Sequence, residues 1–269
     1  MRWWLRRLPA SAQAIVLENS AITEEFQPLA GRWLQPDVTV LTNTLPDHQE
    51  LWGPTSTSAA EVLTSGIPIQ GQVILPVGLR NDDYLMKLLD RRACQLLYSE
   101  PVTGVEEEYR AVNMGMALST LVHLGFERDT VLDTMRELSP DRYDFRVTNC
   151  AGAEVAFAFA VNDIASTRVL FDSLNWSPGE TRLIYNHRAD RPERLKSFKS
   201  WLSQSNWQDV MIIGDKPRKE FSQKDVGSTR YLGIRNVEGL LKLFKPGSRV
   251  FGCGNIAGLP LSLNAVLDR

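Results

Sequence analysis

Runs of β-branched and apolar residues alternate along this chain with segments of helical periodicity, and no other feature restricts the fold as much. Strands separated by helices pair in parallel and are covered by those helices, so an α/β protein is expected. The strand candidates are Ala14 to Leu17, Val38 to Thr42, Gln72 to Leu75, Leu96 to Tyr98, Val155 to Val161, Leu183 to Asn186, Val210 to Ile213 and Arg249 to Phe251. Helical patterns fall at Thr57 to Ser65, Asp82 to Arg92, Glu106 to Leu124, Arg191 to Leu202 and Val237 to Phe244. Between the two halves, S-P-D-R-Y-D-F-R-V-T-N-C-A-G (Ser139 to Gly152) loses periodicity, opens on Ser-Pro and closes on Ala-Gly. That stretch has the character of a crossing between domains, with a hinge at Arg146. The expected division is an incomplete α/β unit over 1–146 and a more regular one over 147–269.

The charge balance narrows the partners. A formal net charge of -2, with the basic residues scattered, provides no footprint for a nucleic-acid backbone. Cys94, Cys150 and Cys253 are far apart and lack metal-type spacing, which suits a reducing cytoplasm better than a disulfide framework or a zinc site. The opening M-R-W-W-L-R-R-L-P is basic and aromatic but too short in apolar residues for a signal-peptide core or a membrane span.

Ligand-facing residues of parallel α/β sheets sit just beyond the carboxyl ends of the strands. Glu18 follows Ala14 to Leu17, and Asn43 with Asp47-His48 follows Val38 to Thr42. If those strands are neighbours, a carboxylate and an imidazole converge on one crevice able to hold a hydrated divalent ion. Spacing alone favours the plainer alternative, with Asp47 a helix cap and His48 a surface residue. Asn162-Asp163 ends another apolar run and opens a helix, as a cap does and as a ribose-binding carboxylate also would. In L-I-Y-N-H-R-A-D-R, the residues Asn186, His187, Arg188, Asp190 and Arg191 all follow one strand, more polar groups than a turn needs. Arg188 and Arg191 suit a carboxylate or phosphate, while Asp190 can cap the helix or pair with either arginine. G-C-G-N-I-A-G, from Gly252, misses the dinucleotide spacing and is expected to serve tight packing, with Cys253 as filler. His123, beside Leu121 and Leu124, is expected against the core.

Taken in order, A-I-V-L-E-N-S-A, V-L-T-N-T-L-P-D-H-Q-E-L-W-G-P-T, A-F-A-V-N-D-I-A-S-T, Y-N-H-R-A-D-R and G-C-G-N-I-A-G resemble the ATP-dependent ligase subunit of poly-γ-glutamate synthase, in the Mur ligase superfamily. The resemblance implies a truncated Mur-ligase-like central domain followed by a Rossmann-like C-terminal α/β domain. It implies an ADP-forming amide ligase using ATP and Mg2+, in which ATP phosphorylates the growing chain's carboxyl end and the next amino acid's amine attacks the acyl phosphate. By position Glu18 and His48 match the magnesium-binding pair and Asn162 with Asp163 the nucleotide-contacting segment. Arg146 matches the hinge arginine and, with Asp47, is the catalytic candidate. Glutamate and the poly-γ-glutamate chain end are the implied substrates, with Asn186, Arg188, Asp190 and Arg191 as substrate-binding candidates.

One departure from the family pattern is large. The G-x-x-G-K-S/T phosphate loop that precedes the matching Glu in such ligases is not in this sequence, and Gly214-Asp215-Lys216 runs into Pro217 and cannot open a helix in its place. Three readings follow. The chain is part of a ligase that works with a P-loop-bearing segment or subunit and is inactive alone; or a non-catalytic binding or assembly subunit; or a relative of the peptidoglycan or folate branches. On the first, it is cytoplasmic, at the inner face of the cell membrane through membrane-bound synthase subunits.

Overall fold

The computed structural model describes residues 7, 9, 11–21, 23–46, 49–139, 141–204, 206–217 and 229–267. The chain divides into two compact units, residues 1–138 and 139–269.

In the first unit, α1 (Phe26–Leu34) precedes strand β1 (Val38–Val40). The short α2 (Gln49–Trp52) and α3 (Ser56–Ser65) lead to β2 (Gln72–Pro76), α4 (Asp83–Arg91) leads to β3 (Gln95–Ser99), and α5 (Glu108–His123) with α6 (Arg128–Glu137) follows. The three strands are parallel in the order β1-β2-β3. The local chemistry explains where the helices begin: the Thr55 hydroxyl accepts from Ser58 N, and the Asp82 carboxylate accepts from Tyr84 N and Leu85 N. Val73 and Leu75 of β2 pack with Leu41, Ala60, Leu85 and Leu89 into one core. α5 packs across all three strands.

Two expectations for this unit fail. Ala14 to Leu17 forms no strand; Ile15 is 50% and Val16 96% exposed. An apolar run makes a strand only when a neighbouring ladder takes up its backbone groups, and among the described residues β1 pairs with β2 alone. The segment after it is held instead by side chains, with Asn19 Nδ2 donating to Gln27 Oε1 (2.8 Å) and Gln27 Nε2 to the Ala21 carbonyl (2.6 Å). His123 is exposed at the end of α5, where its Nε2 bonds Gln72 Oε1, rather than buried in the core.

The second unit opens with β4 (Arg146–Cys150) and β5 (Ala153–Phe157), then α7 (Ile164–Ser173), β6 (Thr181–His187), α8 (Pro192–Gln204), β7 (Asp209–Gly214), β8 (Arg230–Tyr231), α9 (Val237–Leu241), β9 (Arg249–Cys253) and α10 (Leu259–Leu267). The sheet order is β4-β5-β9-β6-β7-β8, parallel except for β4. β4 lies where the sequence suggested an aperiodic crossing. It is a hairpin partner of β5, turned by Ala151 and Gly152 at φ 52° and 79°, the two left-handed residues a two-residue hairpin loop demands.

Both faces of this sheet are covered, so its strands are apolar on both sides. Val155, Phe157, Ile184, Met211, Ile213 and Val250 face Leu240 of α9 and Leu263 of α10. On the other face Phe171 of α7 meets Trp201 of α8, Trp207 and Phe251 of β9 edge-to-face, at centroid distances of 6.0, 4.8 and 5.2 Å. Gly252 makes the central strand fit, because a Cβ there would stand 2.2 Å from the Phe159 ring. Gly252→Ala is therefore expected to destabilise the second unit by about 1–3 kcal/mol through overpacking. Urea unfolding followed by tryptophan fluorescence measures this, and Phe159→Leu in the same chain should return part of the loss.

Candidate functional site

The carboxyl ends of β5, β9, β6 and β7 gather the polar residues of the second unit, the edge at which open α/β sheets bind ligands. β5 pairing continues one step beyond the strand, Ala158 N donating to Gly252 O, and the chain then reaches Asn162 and Asp163. Asp163 has extended backbone and its Oδ1 accepts from Ser166 N at 2.7 Å, so it caps α7. From the first turn of α8, Arg194 Nη1 donates to Asn162 Oδ1 (2.9 Å) and to the Gly254 carbonyl (3.2 Å), tying the end of β5 to the end of β9. Asn186, 2% exposed, ties β6 to the same loop by donating Nδ2 to the carbonyls of Asn255 (2.7 Å) and Ala257 (2.8 Å). Gly254, at φ 101°, permits this closeness; a Cβ there would lie 2.8 Å from the Asn186 carbonyl oxygen.

The turn from β6 into α8 carries the charge. Arg188 and Asp190 form a two-pronged ion pair, Nε to Oδ1 at 2.9 Å and Nη2 to Oδ2 at 2.6 Å. The pair to Arg188 holds the Asp190 carboxyl below its usual pKa range, and the Arg191 charge pulls the same way. Beneath it His187 is 4% exposed and its Nδ1 is buried without a hydrogen-bond partner. Burial pushes the imidazole below its usual value of 6.5, and the Asp215 and Asp190 carboxylates offset only part of this. Asp215, just past β7, accepts from Ala189 N through Oδ2 (2.8 Å) and donates its own N–H to the His187 carbonyl (3.0 Å).

Arg146 starts β4, inside the second unit. Its guanidinium donates to Asn264 Oδ1 of α10 and to the Arg142 carbonyl, each at 2.6 Å, and lies 5.6 Å from the centre of the Phe157 ring. Asn264, fully buried, completes the arrangement by donating to the Arg142 carbonyl at 2.8 Å. Cys253 is fully buried, which pushes its thiol up and leaves it a packing residue. In the first unit Glu18 is exposed on a segment that is not a strand. Asp47 and His48 lie outside the described residues. Among the described residues no group of three or more His, Cys, Asp and Glu side chains is placed to hold a metal ion.

Residues 142–269 match the family described as the poly-gamma-glutamate synthase CapB C-terminal domain. The capsule biosynthesis protein CapB of Bacillus anthracis is 27% identical over 92% of this chain. The chain is similar in sequence to CapB proteins. It spans 58% of the length of that relative. MurF from Acinetobacter baumannii superposes with a TM-score of 0.62 at 12% identity, covering 92% of this chain and 62% of that one. FolC of E. coli, solved with DHPP and ADP, superposes with a TM-score of 0.60 at 14% identity, covering 86% of this chain and 61% of its own.

The sheet of the second unit brings together Asn162, Asp163, Asn186, Arg188, Asp190 and Arg191, while Glu18 belongs to the other unit. Three residues of the crest were not singled out from sequence. Arg194 lies in the first turn of α8, three residues beyond Arg191, which precedes the helix. Asp215 follows the end of β7 directly. Asn264 sits in an apolar helix with no local signal of its function.

His187 yields a sign-defined test. Its folded pKa is depressed, so the unfolded chain takes up a proton near pH 6.5 that the folded chain refuses. Stability is fully present above that value and is lost as pH falls below it. His187→Gln is expected to flatten the stability loss between pH 7 and 5 in denaturant titrations; an unchanged slope would assign the loss to other groups.

Proposed function

We propose that this chain is part of an ATP-dependent, ADP-forming amide ligase that extends poly-γ-glutamate. The reading is carried by the CapB C-terminal domain match over residues 142–269, the stretch that supplies the polar crest. Support for the nucleotide comes from FolC, a protein of the same fold solved with ADP. Chemically, the chain-end carboxylate takes the γ-phosphoryl group from ATP, releasing ADP. The amine of the incoming glutamate then attacks the acyl carbon, forming the amide and releasing phosphate and a proton.

The residues have separable tasks on this reading. Asp163 uses one carboxylate oxygen as a helix cap and offers the other to a ribose hydroxyl, with Asn162 fixed beside it by Arg194. Arg146 carries positive charge towards phosphate oxygens, its side chain steadied by Asn264 and the Arg142 carbonyl. Arg188 and Arg191 match the carboxylates of glutamate. Glu18, Asp47 and His48 remain the metal and catalytic candidates of the first unit; the described residues do not by themselves assemble a magnesium site, and no step is assigned to one. No described helix is long and apolar enough to cross a membrane.

ADP release with magnesium, glutamate and a poly-γ-glutamate acceptor tests the reading, run on the chain alone and with a P-loop-bearing ligase segment added. Release that ignores glutamate in both arms would sink it. Asp163→Asn separates the two tasks of that residue, since asparagine caps a helix about as well as aspartate. Nucleotide affinity is expected to fall about tenfold, as for a lost hydrogen bond to a charged group, with unfolding stability held within about 0.5 kcal/mol.

A further inference from the structure

The ion pair between Arg188 and Asp190 is better placed for binding than for support. Their side chains are 37% and 58% exposed, at the carboxyl end of a central strand. The turn that carries them is already closed by backbone: Arg191 N donates to Arg188 O, Asp215 N donates to His187 O, and Ala189 N donates to the Asp215 carboxylate. Those three bonds fix residues 187 to 191 without the side-chain pair. What the pair adds is a carboxylate seated in an arginine fork in the two-pronged geometry that free carboxylates adopt with guanidinium. The same seat also feels the charge of Arg191.

We propose that Asp190 occupies the seat of a ligand carboxylate, so that an incoming acid binds Arg188 by displacing it. This rests on the reading above of glutamate or its polymer as substrate, and makes Asp190 a residue that sets the affinity threshold for that substrate. Displacement raises the threshold for any acid, and a ligand with a second carboxylate within reach of Arg191 recovers more than a monocarboxylate can. Acetate and chloride are thereby kept out of a fork that would otherwise take them.

The test measures binding of glutarate, glutamate, tri-γ-glutamate and acetate to the whole chain by calorimetry, comparing the native protein with Asp190→Asn, Asp190→Ser and Arg188→Gln. An exposed ion pair contributes at most about 1 kcal/mol, so freeing the fork should tighten carboxylate binding about fivefold in both Asp190 variants, with acetate gaining at least as much as glutarate. Arg188→Gln should abolish binding. Melting temperatures of all variants are expected to stay close to the native value, because the backbone bonds hold the turn. The glutamate arm against the tri-γ-glutamate arm identifies which carboxylate takes the seat. Unchanged or weaker affinity in the two Asp190 variants overturns the proposal, as does an absence of binding in every form. Activity separates it from the ligase reading. Glutamate-dependent ADP release with the same KM for glutamate in Asp190→Asn removes the seat and keeps the ligase. Tightened carboxylate binding without any ADP release, even with a P-loop-bearing ligase segment added, keeps the seat and removes the ligase.

Discussion

The second unit depends on one insertion: β9, nearly the last element in the chain, lies between β5 and β6. Until it arrives, β5 and β6 have no contact through a ladder, and neither of the two apolar layers is continuous. Two glycines make room for it. Gly252 leaves space for the Phe159 ring, and Gly254 turns away beneath Asn186. The polar crest is a result of this insertion, since the hydrogen bonds of Arg194 and Asn186 both end on the loop that leaves β9. Pairings this distant in sequence form late and slowly, because the loop closure precedes any gain from the contact.

Several crest residues have a structural duty that competes with any ligand. Asp163 is committed through one oxygen to α7, and the Asn186 Nδ2 group donates to two carbonyls. Arg188 differs, because what holds it is a neighbouring exposed carboxylate rather than the body of the fold.

Much of the framework was legible in the sequence because apolar runs bounded by turn residues carry their own signal. Val210 to Ile213 and Leu183 to Asn186 fall inside β7 and β6, and Asp82 marks the start of α4. The exceptions have physical causes. Ala14 to Leu17 has a strand pattern but no ladder to join, and pattern alone cannot report the absence of a neighbour. β4 was missed because a five-residue edge strand with only every second residue half-buried has too little apolar content to stand out. The Asn162–Arg194 and Arg146–Asn264 contacts join residues far apart in sequence, which local periodicity does not encode.

The two sheets also end differently. In the second unit one border is the hairpin strand β4 and the other is β8, only two residues long. In the first, β1 and β3 each present one side unpaired among the described residues, with Val40 41% and Leu97 37% exposed beside them. Open parallel borders of this kind are templates for another chain. Colloidal behaviour should therefore divide along the chain: the first unit governs how concentrated a solution stays clear, and soluble expression is best pursued through the 139–269 unit.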